Sequence, residues 1–328
     1  MLMGVALFAL CRYQYFHRVY RHVLSPIQSQ LLEHYLTSRE VRPATVRSFR
    51  SAMGTWIAFA GDIPADTVTP ALGSLYRQAV LARARPETWN SYLAHLRSVY
   101  KRALLDNVIS SNPFAAVALA PVTKKPKQTV SPNVLDAAMA KLHQSEIQTL
   151  RPQWFWRVAV QALYYTGMRR HQLIALRWRD IDFTARTLLL ATDTRSTRRE
   201  WFVPLNAKWT ESLLDLRRRT IELLGRSDID DDQVFNVTRF YSRYKGTEMT
   251  DEHITGFFTR LSAAIGHQIT PHQLRNTAAT DLMRSTNNNV ASVQGVLGHK
   301  KIEQTFEYVE NDLEALAELI DKMPFIGQ

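Results

Sequence analysis

Apolar residues recur at intervals of three and four in two segments near the start of the chain. From Pro43 onward this spacing predicts an amphipathic helix, and a second helix is predicted to open at Pro86-Glu87-Thr88. The inward positions are Val46, Phe49, Met53, Trp56 and Ile57 in the first helix, and Trp89, Tyr92, Leu93, Leu96 and Val99 in the second. The outward positions include Arg47, Arg50, Arg97 and Lys101. The pattern predicts a small helical bundle over residues 26–120.

A different pattern begins at PVTKKPKQTVSP, residues 121–132, which holds three prolines, three lysines and no aromatic residue. This composition is typical of a solvated linker. Beyond it, an apolar helix over 154–165 ends at Gly167, and two β-rich runs over 187–192 and 201–205 flank the polar turn DTRSTRRE. From Leu213 onward the pattern is helical. We therefore expect a mostly helical protein with a small β-sheet, divided into an extension (1–25), the bundle (26–120), the linker (121–132) and a second domain (133–328).

The net charge and the arginine content of the chain indicate which class of binding partner to expect. The net charge is +11, and 31 of the 41 basic side chains are Arg. A planar guanidinium matches two phosphate oxygens, so nucleic acid is the leading partner class, ahead of a membrane surface or an acidic protein. The outward bases of the bundle are then either DNA contacts or ordinary solvated surface. The same two interpretations apply to Lys124 and Lys125 in the linker.

The N-terminus and the single cysteine bear on location. Cys11 is the only cysteine, which excludes an internal disulfide and fits the reducing cytoplasm. The apolar run over residues 1–10 is shorter than the roughly 20 residues that span a bilayer. Basic residues follow this run rather than precede it, so we expect neither export nor a membrane partner. Residues 11–22 are either a basic aromatic arm on DNA or an extension packed on the domain.

The helix start Thr270-Pro271-His272-Gln273 combines a threonine cap, proline at the first helical position and glutamine three residues after the cap. This register places His272 and Arg275 on one face of the first turn, beside backbone N–H groups that favour an anion. The arrangement predicts a phosphate pocket, although capped surface helices also carry such pairs by chance.

Like Gly167, Gly298 in Leu297-Gly298-His299 is predicted to end a helix. The helical pattern KIEQTFEYVE follows it. Ile302, Phe306 and Val309 are predicted to form its buried stripe. Tyr308 falls about 120° from that stripe, which indicates a functional or merely exposed tyrosine rather than a core residue.

Three segments together resemble the tyrosine recombinase (phage integrase) family, over about residues 26–325. TGMRRHQLIALRWRDID resembles the family's first box and gives Arg169. PHQLRNTAATDL resembles its His-x-x-Arg box and gives His272 and Arg275. LGHKKIEQTFEYV resembles the end of its second box and gives His299 and the nucleophile Tyr308.

The resemblance implies a helical core-binding (SAM-like) bundle and a mixed α/β catalytic domain of the tyrosine recombinase type, closing around double-stranded DNA. In that chemistry the tyrosine attacks a scissile phosphate, forms a 3′-phosphotyrosyl bond and expels a 5′-hydroxyl. Arg169 and Arg275 would hold the non-bridging oxygens, His272 would exchange a proton with the tyrosine, and His299 would donate to the phosphate. No metal or cofactor is implied, because the two arginines supply the cationic charge.

The sequence departs from the family pattern at three positions. The hairpin lysine that protonates the leaving oxygen is missing, and its place falls on Asp193, with Arg195 and Arg198 nearby. Arg195 is the candidate substitute, but a guanidinium with a pKa above about 12 is a poor proton donor. Gln172 replaces an expected acidic residue, and Asn276 replaces a frequent histidine.

The C-terminal segment DLEALAELIDKM is amphipathic. In the family such a tail docks on a neighbouring protomer, which implies a homotetramer on two DNA sites. The alternative is a helix packed on its own domain. For the whole protein, site-specific recombination is the first hypothesis. A type IB topoisomerase-like activity and an accessory DNA-binding protein that no longer cleaves are the alternatives.

Overall fold

The architecture is known from a computed structural model. It describes residues 25–41, 43–123, 127–144, 147–191, 199–285, 289–298 and 301–306. The chain divides into two compact units, Met1–Lys124 and Lys125–Gln328, and the division lies inside the segment 121–132. The described helices include none that is both long and apolar enough to cross a membrane.

The described part of the N-terminal unit is helical. Its helices are α1 (Gln28–Thr37), α2 (Pro43–Ala60), α3 (Pro70–Leu81) and α4 (Pro86–Leu105). Both predicted helices are confirmed, and their large inward residues Phe49, Met53, Trp56, Trp89, Leu93, Leu96 and Val99 are buried. The amide of Gln28, itself fully buried, accepts hydrogen bonds from the Trp56 indole (3.1 Å) and the Tyr100 hydroxyl. This polar centre joins α1, α2 and α4.

Arg97 does not follow its predicted outward orientation. Its guanidinium is half-buried and donates to the carbonyl oxygens of Phe114 (2.9 Å), Ala115 (3.2 Å) and Val117 (2.7 Å). The segment after α4 folds back over the helix and presents these carbonyls, which a helical pattern alone does not reveal. Arg47, Arg50 and Lys101 are exposed, as predicted.

The C-terminal unit is mostly helical. Its helices are α5 (Pro132–His143), α6 (Gln153–Thr166), α7 (Arg170–Ala175), α8 (Ala207–Leu224), α9 (Asp251–Ile265), α10 (Pro271–Ser285), α11 (Val290–Leu297) and α12 (Glu303–Phe306). The apolar helix α6 lies at the centre and packs against α5, α8 and α10. Trp156 of α6 stacks on Phe257 of α9 with 4.0 Å between ring centroids.

A three-stranded antiparallel sheet lies beside these helices, in the order β1 (Ile181–Asp182), β2 (Thr187–Ala191), β3 (Glu200–Pro204). The predicted hairpin is confirmed as β2 and β3, with Leu188 opposite Val203 and Leu190 opposite Trp201. These four side chains are buried, so one face of the hairpin packs on the core. The short strand β1 was not predicted from the sequence.

Two sequence predictions about the C-terminal unit are wrong. The end of the predicted solvated linker is packed, because Val130 is 5% exposed and its N–H donates to the Thr277 hydroxyl (2.8 Å). Ile302 is 40% exposed rather than buried. Helix α12 begins only at Glu303, so Ile302 lies on the preceding turn and Thr305 is the buried residue instead.

Candidate active site

Arg275 connects the three motif segments of the C-terminal unit. Its side chain lies on α10 and is 4% exposed. One terminal nitrogen donates to the carbonyl oxygen of Gly167, and the other donates to the carbonyl oxygen of Leu297 (3.1 Å). A buried guanidinium of this kind fixes both carbonyls through charge-assisted hydrogen bonds. The loop before Arg169 and the turn before His299 are therefore anchored to the helix that carries His272.

The first of these anchored segments begins where α6 ends. Gly167 caps α6 in the left-handed conformation (φ +59°), as predicted. A Cβ there would lie 2.5 Å from Leu297 Cδ2, so the glycine also permits close approach of α11. Two residues later, Arg169 forms the N-cap of α7, and its side chain is half-buried. The turn thus places Arg169 at the start of α7, two residues after the carbonyl that Arg275 holds.

Gln172 holds that turn to the sheet. Its side-chain oxygen accepts from the backbone N–H of Arg169 (2.8 Å), and its Nε2 donates to the carbonyl oxygen of Ala191 at the end of β2 (2.9 Å). A carboxylate could make the first bond but not the second, because it has no donor. The glutamine therefore suits a position that contacts both a donor and an acceptor.

The second anchored segment is the turn after α11. Gly298 caps α11 with φ +61°, as predicted, and a Cβ at this position would overlap the indole ring of Trp201. The Trp201 indole N–H also donates to the carbonyl oxygen of Val296 (2.9 Å). Strand β3 and Arg275 therefore both hold this turn, through the carbonyls of Val296 and Leu297.

The start of α10 has the predicted geometry. The Thr270 hydroxyl accepts from the Gln273 N–H (3.1 Å) and donates to the Gln273 side-chain oxygen (3.0 Å), with Pro271 at the first helical position. This cap presents His272, an exposed side chain, at the surface of the unit.

The surroundings of His272 hold its pKa below the ordinary value of 6.5. Partial desolvation by the surrounding protein makes the largest contribution to the lowered pKa, followed by the positive charges of Lys127, Arg275 and Arg169. The imidazole is therefore neutral at pH 7 and able to accept a proton. The two motif arginines and one lysine thus act on the same histidine.

Sequence reasoning missed Lys127 as a site residue. Lys127, Gln128 and Asn276 line a cavity of about 270 Å³ together with Gln268, Thr270, His272 and Gln273. The amide of Asn276 donates to the carbonyl oxygen of Gln128 (3.0 Å), which holds this part of the chain against α10. No periodicity could have found the contact, because the two segments are far apart in sequence. The one available signal in the sequence is the missing hairpin lysine, which indicates that a lysine from another segment could lie at the site.

Several predicted site residues lie outside the described residues: His299, Tyr308, Arg195, Lys124 and Lys125. The same is true of the apolar N-terminal run, the basic aromatic arm, the tip of the hairpin and the C-terminal segment. Within the described part of the chain, no cluster of three His, Cys, Asp or Glu side chains could hold a metal ion.

The family model described as "Phage integrase family" matches residues 129–314, which is more than half of the chain. The chain belongs to the phage integrase family. A putative tyrosine recombinase XerC of Pseudomonas aeruginosa is 30% identical over 302 residues, covering 87% of this chain and 69% of that protein. The putative tyrosine recombinase XerC of Pseudomonas syringae is 31% identical over 303 residues. That match covers 89% of this chain and only 63% of the relative's length.

Solved structures of integrases share the fold of this tyrosine recombinase family member. The Tn1549 transposon integrase, in complex with transposon right end DNA, matches with a TM-score of 0.69 at 17% identity, over 90% of this chain and 99% of that one. A lambda integrase dimer bound to a COC′ core site matches with a TM-score of 0.67 at 18% identity, over 87% and 96% of the two chains. The mostly helical fold with a small sheet is thus the tyrosine recombinase fold.

Proposed function

We propose that this chain is a site-specific DNA recombinase that cuts and rejoins duplex DNA through a phosphotyrosyl bond to Tyr308. The observation that carries the proposal is the anchoring of two motif loops by Arg275. These two hydrogen bonds tie the loop before Arg169 and the turn before His299 to the helix that carries His272. We call the buried Arg275 side chain and the two carbonyls that it holds, those of Gly167 and Leu297, the carbonyl clamp. A histidine and an arginine that are paired by chance on a helix surface would not be expected to form such an arrangement.

The chemistry follows from the charges gathered there. Attack on a phosphodiester places additional negative charge on the non-bridging oxygens, and preorganised guanidinium groups stabilise that charge. Arg169 and Arg275 take this role. A guanidinium has five N–H donors, so the Arg275 side chain can hold two carbonyls and also donate to a phosphate. Neutral His272 accepts the phenolic proton as Tyr308 attacks.

Double-stranded DNA is the proposed substrate, and the net charge of +11 is consistent with a polyanionic partner. The matched dimer and the tetramer of lambda integrase on a Holliday junction support an oligomeric assembly on DNA. We therefore propose that four copies act on two DNA sites, joined through the amphipathic C-terminal segment.

Covalent trapping tests the proposal. Wild type and Tyr308→Phe are incubated with nicked suicide duplexes tiled from the DNA that flanks the gene. A denaturation-resistant adduct in wild type that is absent from the variant supports the function. If both proteins retard the same duplex but neither forms an adduct, the chain is an accessory DNA-binding protein.

A second assay separates recombination from simple relaxation. Supercoiled plasmids carrying two, one or no trapped sites are incubated with wild type. Products that require two sites support recombination. Relaxation that proceeds equally on all three plasmids points to a topoisomerase-like activity instead.

A further inference from the structure

The expelled 5′-oxygen needs a proton, and this need follows from the proposed function. An alkoxide is a poor leaving group at neutral pH, because its conjugate acid is about as weak an acid as water. A general acid within hydrogen-bond reach lowers that barrier. The described basic side chains around the site are Arg169, Arg275, His272 and Lys127. Only one of them suits the task.

The other three are unsuited for different reasons. Guanidinium groups keep their protons, since their pKa lies above about 12. His272 is neutral at pH 7 because partial desolvation and three neighbouring positive charges lower its pKa. It therefore begins the reaction as a proton acceptor. A lysine ammonium, with an ordinary pKa of about 10.4, both carries a proton at neutral pH and is able to release it.

Two hydrogen bonds to consecutive residues of α10 set the position of the segment that carries Lys127. The carbonyl of Gln128 accepts from Asn276, and the N–H of Val130 donates to Thr277 (2.8 Å). Asn276 lies four residues after His272, on the same face of α10. The segment therefore runs along that face toward the start of the helix.

Lys127 and His272 consequently line the same cavity of about 270 Å³. Among neighbouring charges, that of Lys127 lowers the pKa of His272 most, ahead of Arg275 and Arg169. The ammonium thus acts directly on the imidazole that the proposed reaction uses.

We propose that Lys127 is the general acid that protonates the departing 5′-oxygen. As the Tyr308 oxygen bonds to phosphorus, its proton passes to His272. The bond from phosphorus to the 5′-oxygen breaks, and that oxygen takes a proton from the Lys127 ammonium. Lys127 is left as a neutral amine, which removes the proton from the 5′-hydroxyl when the strands rejoin. No electron donor or acceptor is involved.

A substrate that differs by one atom tests this role. One nicked suicide duplex has oxygen at the bridging 5′ position of the scissile phosphate, and its twin has sulfur there. A thiol has an ordinary pKa of about 8.5, so the sulfur departs without a general acid. Adduct formation is timed for wild type, Lys127→Met and Lys127→Arg. Lys208→Met, an exposed lysine on α8, is the control for loss of one positive charge.

We expect Lys127→Met to slow cleavage of the oxygen duplex by about 10²–10⁴-fold. On the sulfur duplex the same variant should react within a few-fold of wild type. Lys127→Arg should give this pattern with unchanged DNA affinity, because it keeps the charge without releasing the proton. Lys208→Met should match wild type on both duplexes.

Equal slowing on both duplexes would overturn the assignment and make Lys127 a phosphate contact. No slowing on either duplex would overturn it as well. Wild type decides the proposed function separately, since an adduct with either duplex upholds recombinase chemistry whatever the lysine variants do. If wild type forms no adduct with either, the function and this inference both fall.

Discussion

The Nη2 of Arg275 donates a 3.1 Å hydrogen bond to the carbonyl oxygen of Leu297, at the last residue of α11. The Nη1 of the same side chain holds the carbonyl of Gly167, just after α6. One buried side chain therefore sets the separation of two loops that belong to different sequence motifs. Arg275 therefore has a structural role beside the catalytic role proposed for it, and the structural role can be tested separately.

Removing the Arg275 side chain should destabilise the C-terminal unit. Arg275→Ala leaves two carbonyls without this donor. Each buried group left unsatisfied should lower the free energy of unfolding by about 1–3 kcal/mol. Arg275→Lys should recover part of the loss, because one ammonium cannot reproduce the planar fork. Urea unfolding measures both. Arg284→Ala, whose side chain is 66% exposed on the same helix, should change stability by less than about 1 kcal/mol. Equal losses at 275 and 284 would contradict the carbonyl clamp.

Gly298 should not tolerate alanine. Gly298→Ala combines a left-handed backbone with overlap of the Trp201 ring, and we expect a loss of about 1–3 kcal/mol. Gly295→Ala is the matched control, since it lies within α11 with no atom within 4 Å of the added Cβ. It should be neutral or stabilising by up to about 1 kcal/mol. Thermal melts compare the two, and a similar change in both would exclude a special role for the turn.

The lowered pKa of His272 should make stability depend on pH below neutrality. The unfolded imidazole takes up its proton near pH 6.5, whereas the folded one does so only at lower pH. Between these two values the unfolded state binds more protons, so stability is fully present above pH 6.5 and declines as the pH falls below it. Urea unfolding between pH 5 and 8 should show a smaller decline for His272→Asn. An identical decline in the variant would contradict the shift.

The titration of His272 also reports on its neighbour. In NMR spectra of protein labelled at histidine, the His272 resonance should titrate below pH 6.5 in wild type. Lys127→Met removes a nearby positive charge and should raise that midpoint. Lys208→Met should leave it unchanged. An unmoved midpoint in Lys127→Met would show that the two side chains are not electrostatically coupled.

Substitution of Arg97 and of Lys101 should have different effects on stability, because Arg97 holds backbone carbonyls whereas Lys101 lies on the surface. Arg97→Ala removes the donor to three carbonyls and should cost the N-terminal unit about 1–3 kcal/mol. Lys101→Ala, one turn further on α4 and exposed, should leave stability unchanged. If Lys101 contacts a phosphate, its variant should also reduce the salt dependence of DNA binding by about one counterion. Equal stability losses would refute the distinction.

Much of the fold followed from short stretches of sequence. The caps at Gly167, Thr270 and Gly298 were predicted because capping depends on residues within about four positions of each other. The buried faces of α2 and α4 followed from helical periodicity. The motif spacing alone assigns Arg169, His272 and Arg275 to one family pattern.

The remaining features depend on segments that meet only in the folded chain. The carbonyl clamp of Arg275, the inward turn of Arg97 and the contact of residues 127–130 with α10 join positions that local patterning does not connect. Ile302 is exposed because α12 starts one residue later than its apolar spacing indicates. Sequence by itself determined the elements and the chemical groups, since both are local properties. Tertiary structure decided which carbonyls and charges surround each group, since long-range packing sets those distances.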